Sequence, residues 1–226
     1  MTHDAVLFDL DGTLCAYRRP GDEVLDLAFE AVGVEPFFSV QEYYERYGEF
    51  APVAEGPTEL RELAFEAIAT ERGRPAALGR ELASEYAERR DHAAVDPLPG
   101  VPEVVRALAR ERRVGLVTNG GPEMQPDKLR TLALEDGFEV VVFAGHHNDE
   151  WGHVPAKPDP EPFRVACDAL GVAPERTAHV GNAPEADVAG AAAAGLTSVL
   201  VGGREPVDGA EPDHVVGAVA DLDGLL

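Results

Sequence analysis

Cysteine is nearly absent from this chain: among 226 residues only Cys15 and Cys167 occur, and they form no CxxC pair. No disulfide framework can be built from that pattern, so a reducing, cytoplasmic compartment is the expectation. Long hydrophobic runs are missing as well. No stretch is long and apolar enough to span a membrane, and the first apolar run begins too early to belong to a signal peptide. Lysine is scarce, with Lys128 and Lys157 the only two; every other basic residue is arginine. Positive charge of either kind is outweighed, 19 Lys and Arg against 42 Asp and Glu, for a net charge of −23. Phosphate backbones bind basic patches, so nucleic acid is not an expected partner. The acids are spread along the whole length and therefore belong to the folded surface. Such a surface repels itself in dilute buffer and is screened at high salt, which is the expectation for a halophilic cytoplasm.

What is present is an ordinary globular composition, 45% hydrophobic, in a chain long enough for one domain or two small ones. The apolar run Ala5-Val-Leu-Phe8 reads as a buried strand ending in Asp9-Leu10-Asp11-Gly12-Thr13. Strand side chains alternate faces, so Asp9 and Asp11 share one side while Leu10 points into the core. Gly12 lets the chain turn sharply at the strand end. Two adjacent carboxylates repel, and their presence calls for a divalent cation, an acid/base role, or both.

From about Asp22 to Asp91 apolar residues recur at helical spacing, punctuated by Pro20-Gly21, Gly33, Gly56-Pro57 and Gly73, with no strand evident. All five tyrosines lie in this segment or at its edge. From Asp96 onward helices and short apolar strands alternate: helices near 102–112, 126–134, 160–170 and 185–194, and strands at 114–118, 138–143, 177–181 and 197–201. That alternation predicts an α/β fold, a Rossmann-like doubly wound parallel sheet. The core is expected to comprise residues 1–15 and 96–226, with 16–95 as an α-helical insertion. Ligands of such sheets bind beyond the carboxyl ends of the strands, which puts Asp9 and Asp11, Thr118-Asn119 and Gly181-Asn182 on one rim.

Four segments in order, Asp9-Leu-Asp11-Gly12-Thr13, Thr118-Asn119-Gly120, Lys157-Pro-Asp159-Pro160 and Gly181-Asn182 with Asp187, resemble the haloacid dehalogenase (HAD) superfamily of phosphohydrolases. The inserted helices look like that family's cap of the subclass I type. The resemblance implies Mg²⁺-dependent hydrolysis of a phosphate monoester on a small phosphorylated metabolite. Asp9 would be the nucleophile that becomes an aspartyl-phosphate, and Asp11 the group that protonates the leaving oxygen and then activates water. Mg²⁺ would be held by the Asp9 carboxylate, the Asp11 backbone carbonyl and a group after the fourth motif strand, either Asn182 or Asp187. Thr118 and the N–H groups that follow it, beginning at Asn119, would grip phosphoryl oxygens beside the charge of Lys157. Asp159 and Pro160 would cap and open the next helix.

One position departs from the common pattern: many relatives carry Gly-Asp where this chain has Gly181-Asn182, so one metal-facing charge is missing. Asp11 argues against dehalogenation, since dehalogenases of the superfamily usually carry tyrosine there. A cap without lysine argues against phosphonate hydrolysis through a Schiff base. A phosphosugar mutase of the β-phosphoglucomutase type and a non-catalytic binding protein of the same fold remain as alternatives. Arg18 and Arg19, where the chain leaves the core, either meet an anionic group of the substrate or form a solvated basic turn. Arg61, Tyr43 and Tyr44 are weaker candidates, with helix packing expected for the tyrosines. His146, His147 and His153 match no helical zinc spacing, and their loop is expected to shape access to the rim. Hinges are expected near residues 16–20 and 92–99.

Overall fold

The computed structural model describes residues 3–50, 53–54, 56–202, 211–222 and 224–226. The chain divides into two compact units, Met1–Tyr17 with His92–Leu226 and, inserted between them, Arg18–Asp91.

The first unit is built on β1 (Ala5–Phe8), whose four residues are completely buried. The next strands in the chain, β2 (Cys15–Tyr17) and β3 (Val95–Pro97), pair antiparallel as a ribbon that carries the chain out of this unit and back. Because residues 15–17 pair with 95–97, the division falls at Tyr17/Arg18 and Asp91/His92, slightly inside the 16–95 insertion read from the sequence. Then follow β4 (Arg113–Thr118), β5 (Val140–Phe143), the short hairpin β6 (His147–Asn148) and β7 (Gly152–His153), β8 (Thr177–Gly181), β9 (Thr197–Val201) and β10 (His214–Val216). Six of them form one parallel sheet in the order β10-β9-β8-β1-β4-β5.

Side-chain alternation on β1 sends Val6 and Phe8 into one apolar layer and Ala5 and Leu7 into the other, so both faces of the sheet are covered. One layer receives Val105 and Leu129 from the helices Glu103–Leu108 and Gln125–Thr131; the other receives Phe163, Ala166, Cys167 and Leu170 from Glu161–Leu170. β1 lies between β4 and β8, with Phe8 in register with Leu116 and Val180. Its carboxyl end therefore opens between those of both neighbours, the crevice where ligands of such sheets bind.

Three helices differ from the sequence reading, the first being the one expected over 102–112, which spans Glu103–Leu108. The helix expected over 126–134 spans Gln125–Thr131, and Ala133 adopts a positive φ of 53° beyond its end. The helix expected over 185–194 begins instead as a widened π-type turn, Pro184–Ala189, before a regular turn over Gly190–Ala194. That widening accompanies a side chain turned back on its own segment: Asp187 accepts a hydrogen bond from the Ala183 N–H at 2.9 Å.

The second unit is helical, with α1 (Gly21–Val32), α2 (Val40–Glu45), α3 (Tyr47–Phe50), α4 (Pro57–Glu71) and α5 (Ala76–Arg89). Gly33 ends α1 in the left-handed region at φ 75°, where its N–H reaches the carbonyls of Phe29 and Glu30. Ser39 and Glu42 cap the start of α2 reciprocally. Its core is aromatic: Phe29, Phe38, Tyr43, Phe65 and Tyr86 are buried together, with ring centroids about 5 to 6 Å apart.

Candidate active site

Asp9 directly follows β1 and is buried. Its Oδ1 accepts from Lys157 Nζ at 2.8 Å and its Oδ2 from Thr13 Oγ1 at 3.1 Å. Burial pushes its carboxyl up to about 6 against the opposing pull of Lys157. Lys157 uses all three N–H bonds: the other two go to the Val117 carbonyl at 2.9 Å and Asp187 Oδ1 at 2.6 Å. Burial disfavours that charge, but the flanking carboxylates hold the ammonium above its ordinary value. Asp187 is held well below the carboxylate range: burial alone would raise it, and Lys157 and His179 more than reverse that. Its Oδ1 also takes His179 Nε2 at 3.1 Å, and its Oδ2 takes the Ala183 N–H. Two carboxylates thus share one lysine, and Asp187, with the larger set of donors, is the one that stays ionised most firmly.

Asn119 and Lys157 are tied backbone to side chain in both directions, Lys157 N–H to Asn119 Oδ1 at 2.9 Å and Asn119 Nδ2 to the Lys157 carbonyl at 3.1 Å. The Asn119 amide therefore ties the Lys157 loop to the end of β4.

Thr118, at the end of β4, accepts at Oγ1 from Gly120 N–H at 3.1 Å and from Gln125 Nε2 at 2.8 Å. With both acceptor positions filled, its hydroxyl hydrogen is available to donate to an anion. Gln125 Nε2 also donates to Asp11 Oδ2 at 2.9 Å, and Lys128 Nζ to Asp11 Oδ1 at 2.6 Å. Lys128 is 1% exposed and lies 4.6 Å from the Tyr17 ring centroid. Burial works against its charge, but Asp11 and Tyr17 hold it above the ordinary lysine value. Sequence reasoning assigned no role to Gln125 or Lys128. Both lysines of the chain end at the two motif aspartates, one on each.

Asn182 follows β8, and its Oδ1 lies 3.4 Å from Thr13 Oγ1, which also donates to Asp9. Gly12, at φ 83°, makes that approach possible, because a Cβ there would stand 2.2 Å from Asn182 Nδ2. The same device recurs at Gly120, where a Cβ would strike the Gln125 amide, and at Gly181, where it would strike the Asp187 carboxyl.

The Asp9 carboxylate and the Asn182 side-chain oxygen, both within reach of the Thr13 hydroxyl, are hard oxygen donors of the kind that suit a divalent cation such as Mg²⁺. Both Asp187 oxygens accept hydrogen bonds, Oδ1 from Lys157 and His179 and Oδ2 from the Ala183 N–H.

The histidine loop forms the β6–β7 hairpin, with His147 opposite His153 and His146 Nε2 at 3.3 Å from the Asn119 carbonyl. Among the described residues no cluster of three or more His, Cys, Asp or Glu side chains is arranged to hold a metal. Arg18 and Arg19 are exposed and belong to the helical unit, where Arg90 Nη1 donates to the Arg19 carbonyl at 2.8 Å. None of the helices is long and apolar enough to cross a membrane, among the described residues.

A covered parallel sheet whose strand ends gather a buried carboxylate, a threonine hydroxyl and two buried lysines makes this unit an α/β core with a charged crevice at the carboxyl ends of its strands. The family model of haloacid dehalogenase-like hydrolases matches residues 3–195. Phosphoserine phosphatase of Thermus thermophilus is 35% identical over 96% of this chain and 96% of its own length. Phosphoglycolate phosphatase of Neisseria gonorrhoeae is 29% identical over 96% of this chain and 91% of its own. The solved HAD hydrolase YfnB of Bacillus subtilis shares the fold, with a TM-score of 0.76 at 21% identity over 100% of this chain and 99% of that one. The chain belongs to the haloacid dehalogenase-like hydrolase family and is a phosphatase of that family.

Proposed function

We propose that this phosphatase hydrolyses a small phosphate monoester through an aspartyl-phosphate on Asp9, with Mg²⁺ as cofactor. The observation that carries the reading is the pairing of each motif aspartate with its own buried lysine, Asp9 with Lys157 and Asp11 with Lys128. An Asp9 carboxylate oxygen attacks phosphorus as the bond to the leaving oxygen breaks, and Asp11 supplies the proton that the leaving oxygen takes. Asp11 then removes a proton from water as its oxygen attacks phosphorus, and the bond to Asp9 breaks. Thr118 donates its hydroxyl hydrogen to a phosphoryl oxygen throughout, and Lys157 keeps the nucleophile in place. Mg²⁺, held by the Asp9 carboxylate, the Asp11 carbonyl and the Asn182 side-chain oxygen, would neutralise phosphoryl charge when bound. The names of the two relatives that span the chain, a phosphoserine and a phosphoglycolate phosphatase, support a small phosphorylated metabolite as substrate. The helical unit would act as the cap that closes over it, swinging on hinges near 16–20 and 92–99.

Hydrolysis of p-nitrophenyl phosphate tests the reading. With Mg²⁺, in dilute buffer and in high KCl, phosphate should be released in at least one condition, and a chelator should stop it. Inactivity toward a panel of phosphate esters in every condition would overturn the proposal.

Lys128 and Gln125 hold the two oxygens of Asp11 and so orient its carboxyl group. Lys128→Met should lower kcat by about 10- to 100-fold, part of the ~10²–10⁴ that positioned acid/base groups supply. KM should move little, and Lys128→Arg should recover most of the loss. An unchanged kcat in Lys128→Met would show that the ion pair does not serve the reaction.

A further inference from the structure

Strand alternation on β8 sends Ala178 and Val180 into one apolar layer and His179 into the other, in register with Leu7 of β1. His179 is buried and packs edge to face on the Phe163 ring, with centroids 4.8 Å apart. Its two nitrogens have unlike surroundings. Nε2 lies 3.1 Å from Asp187 Oδ1, whereas Nδ1 is sealed from solvent and has no hydrogen-bond partner among the described residues. An ionised carboxylate can only accept, so Nε2 carries the hydrogen and Nδ1 the bare lone pair. Burying that lone pair carries a cost that a leucine in the same apolar layer would not. What Nε2 holds is therefore the reason to look for.

Nε2 holds Asp187 from one side while the backbone holds it from the other. Ala183, just before the widened turn, gives its N–H to Oδ2 at 2.9 Å, and His179 gives Nε2–H to Oδ1. With both oxygens engaged by separate elements, the carboxyl plane cannot pivot, and Oδ1 stays 2.6 Å from Lys157 Nζ. The Val117 carbonyl takes a second N–H of that ammonium, and the third points to Asp9 Oδ1 at 2.8 Å. Each group in the series His179, Asp187, Lys157, Asp9 is buried, so no solvent molecule need replace a lost partner. Without the imidazole, Oδ1 of Asp187 loses one of its two donors and the carboxyl is free to turn. The lysine then loses the acceptor that fixes its direction toward Asp9.

We propose that His179 is a positioning residue for the nucleophile, acting through Asp187 and Lys157 to hold the Asp9 carboxylate in line. The inference rests on the reading of Asp9 as the nucleophile. The imidazole itself gives and takes no proton in the reaction; it acts by holding a carboxylate still.

Three substitutions test this against p-nitrophenyl phosphate. His179→Leu suits the apolar layer and removes the donor. His179→Gln places an amide N–H about where Nε2 lies, and His179→Asn carries the same amide one methylene short of it. The leucine and asparagine variants should lose about 10- to 100-fold in kcat, since a misplacement of ~1 Å can cost ~10²-fold. KM should stay within about twofold, because an interaction that matters only as the nucleophile attacks leaves binding alone. His179→Gln should recover most of the loss. Should the leucine variant fail to fold, the glutamine and asparagine variants, equal in polarity and unequal in reach, decide the matter. Nitrogen-15 spectra of histidine-labelled wild type should show the His179 ring with its hydrogen on Nε2. Unchanged kcat in His179→Leu, equal losses in the glutamine and asparagine variants, or a hydrogen on Nδ1 would each overturn the proposal while leaving the phosphatase reading intact. A wild type inactive toward every phosphate ester would instead overturn that reading, and the role of His179 with it.

Discussion

Asp9→Asn should reduce hydrolysis of p-nitrophenyl phosphate by about 10⁴-fold or more, because an amide cannot form the covalent intermediate. The same substitution should leave the fold intact and its melting temperature at or above wild type. Burial pushes the Asp9 carboxyl up to about 6, so at neutral pH the folded protein holds it ionised at a cost that the unfolded chain does not bear. The sign follows from the raised value: the cost is absent below the ordinary carboxylate range and complete above about pH 6. The amide of the variant is neutral at every pH and removes that cost, while Lys157 keeps its bonds to Asp187 and the Val117 carbonyl. Activity lost together with stability gained is the signature of a residue placed for chemistry. Thermal denaturation at pH 7.5, run beside the assay, checks both halves. Residual turnover above one hundredth of wild type would count against Asp9 as the nucleophile.

Lys157→Met should be damaging in both respects. It removes the ammonium that lies 2.8 Å from Asp9 and 2.6 Å from Asp187, both buried. Two carboxylates are then left facing each other without a cation, a change worth on the order of 3–5 kcal/mol of stability. Activity should fall to background, because nucleophile and phosphoryl group both lose their nearest positive charge. Urea denaturation gives the stability and the phosphate assay the activity. A variant as stable as wild type would show that Asp187 and Asp9 do not depend on the lysine. The contrast between the two variants is itself diagnostic: both abolish turnover, and only one unfolds easily.

The sheet and the strand-end residues were legible because a buried parallel strand leaves a strong local trace. Ala5–Phe8, Val114–Thr118 and Thr177–Gly181 are short apolar runs between turn residues, and each delivers its polar residue at its end. Lys128 and Gln125 left no such trace. They lie three apart on a short helix, a spacing that any surface helix shows, and only the fold brings that helix to Asp11. The signal that could have found Lys128 was scarcity: a chain that uses arginine everywhere else keeps two lysines, and one already belonged to a motif. The role of Asp187 was equally illegible, since a carboxylate near a strand end reads the same whether it faces a cation or a lysine. In the structure the widened turn over Pro184–Ala189 brings one of its oxygens to Lys157 and the other to the Ala183 N–H.

The placement of the two lysines also makes the molecule chemically quiet. Surface ion pairs such as Arg113 with Glu139 and Arg176 with Asp4 use guanidinium groups, which resist acylation. Both primary amines carried on side chains are enclosed and hydrogen-bonded to carboxylates. Acetylating agents, amine-directed cross-linkers and glycating sugars therefore meet almost nothing to react with until the protein opens. Once it opens, the first side-chain amines they reach are Lys128 and Lys157, the partners of Asp11 and Asp9. Amine-directed injury at these two lysines thus follows the opening of the fold.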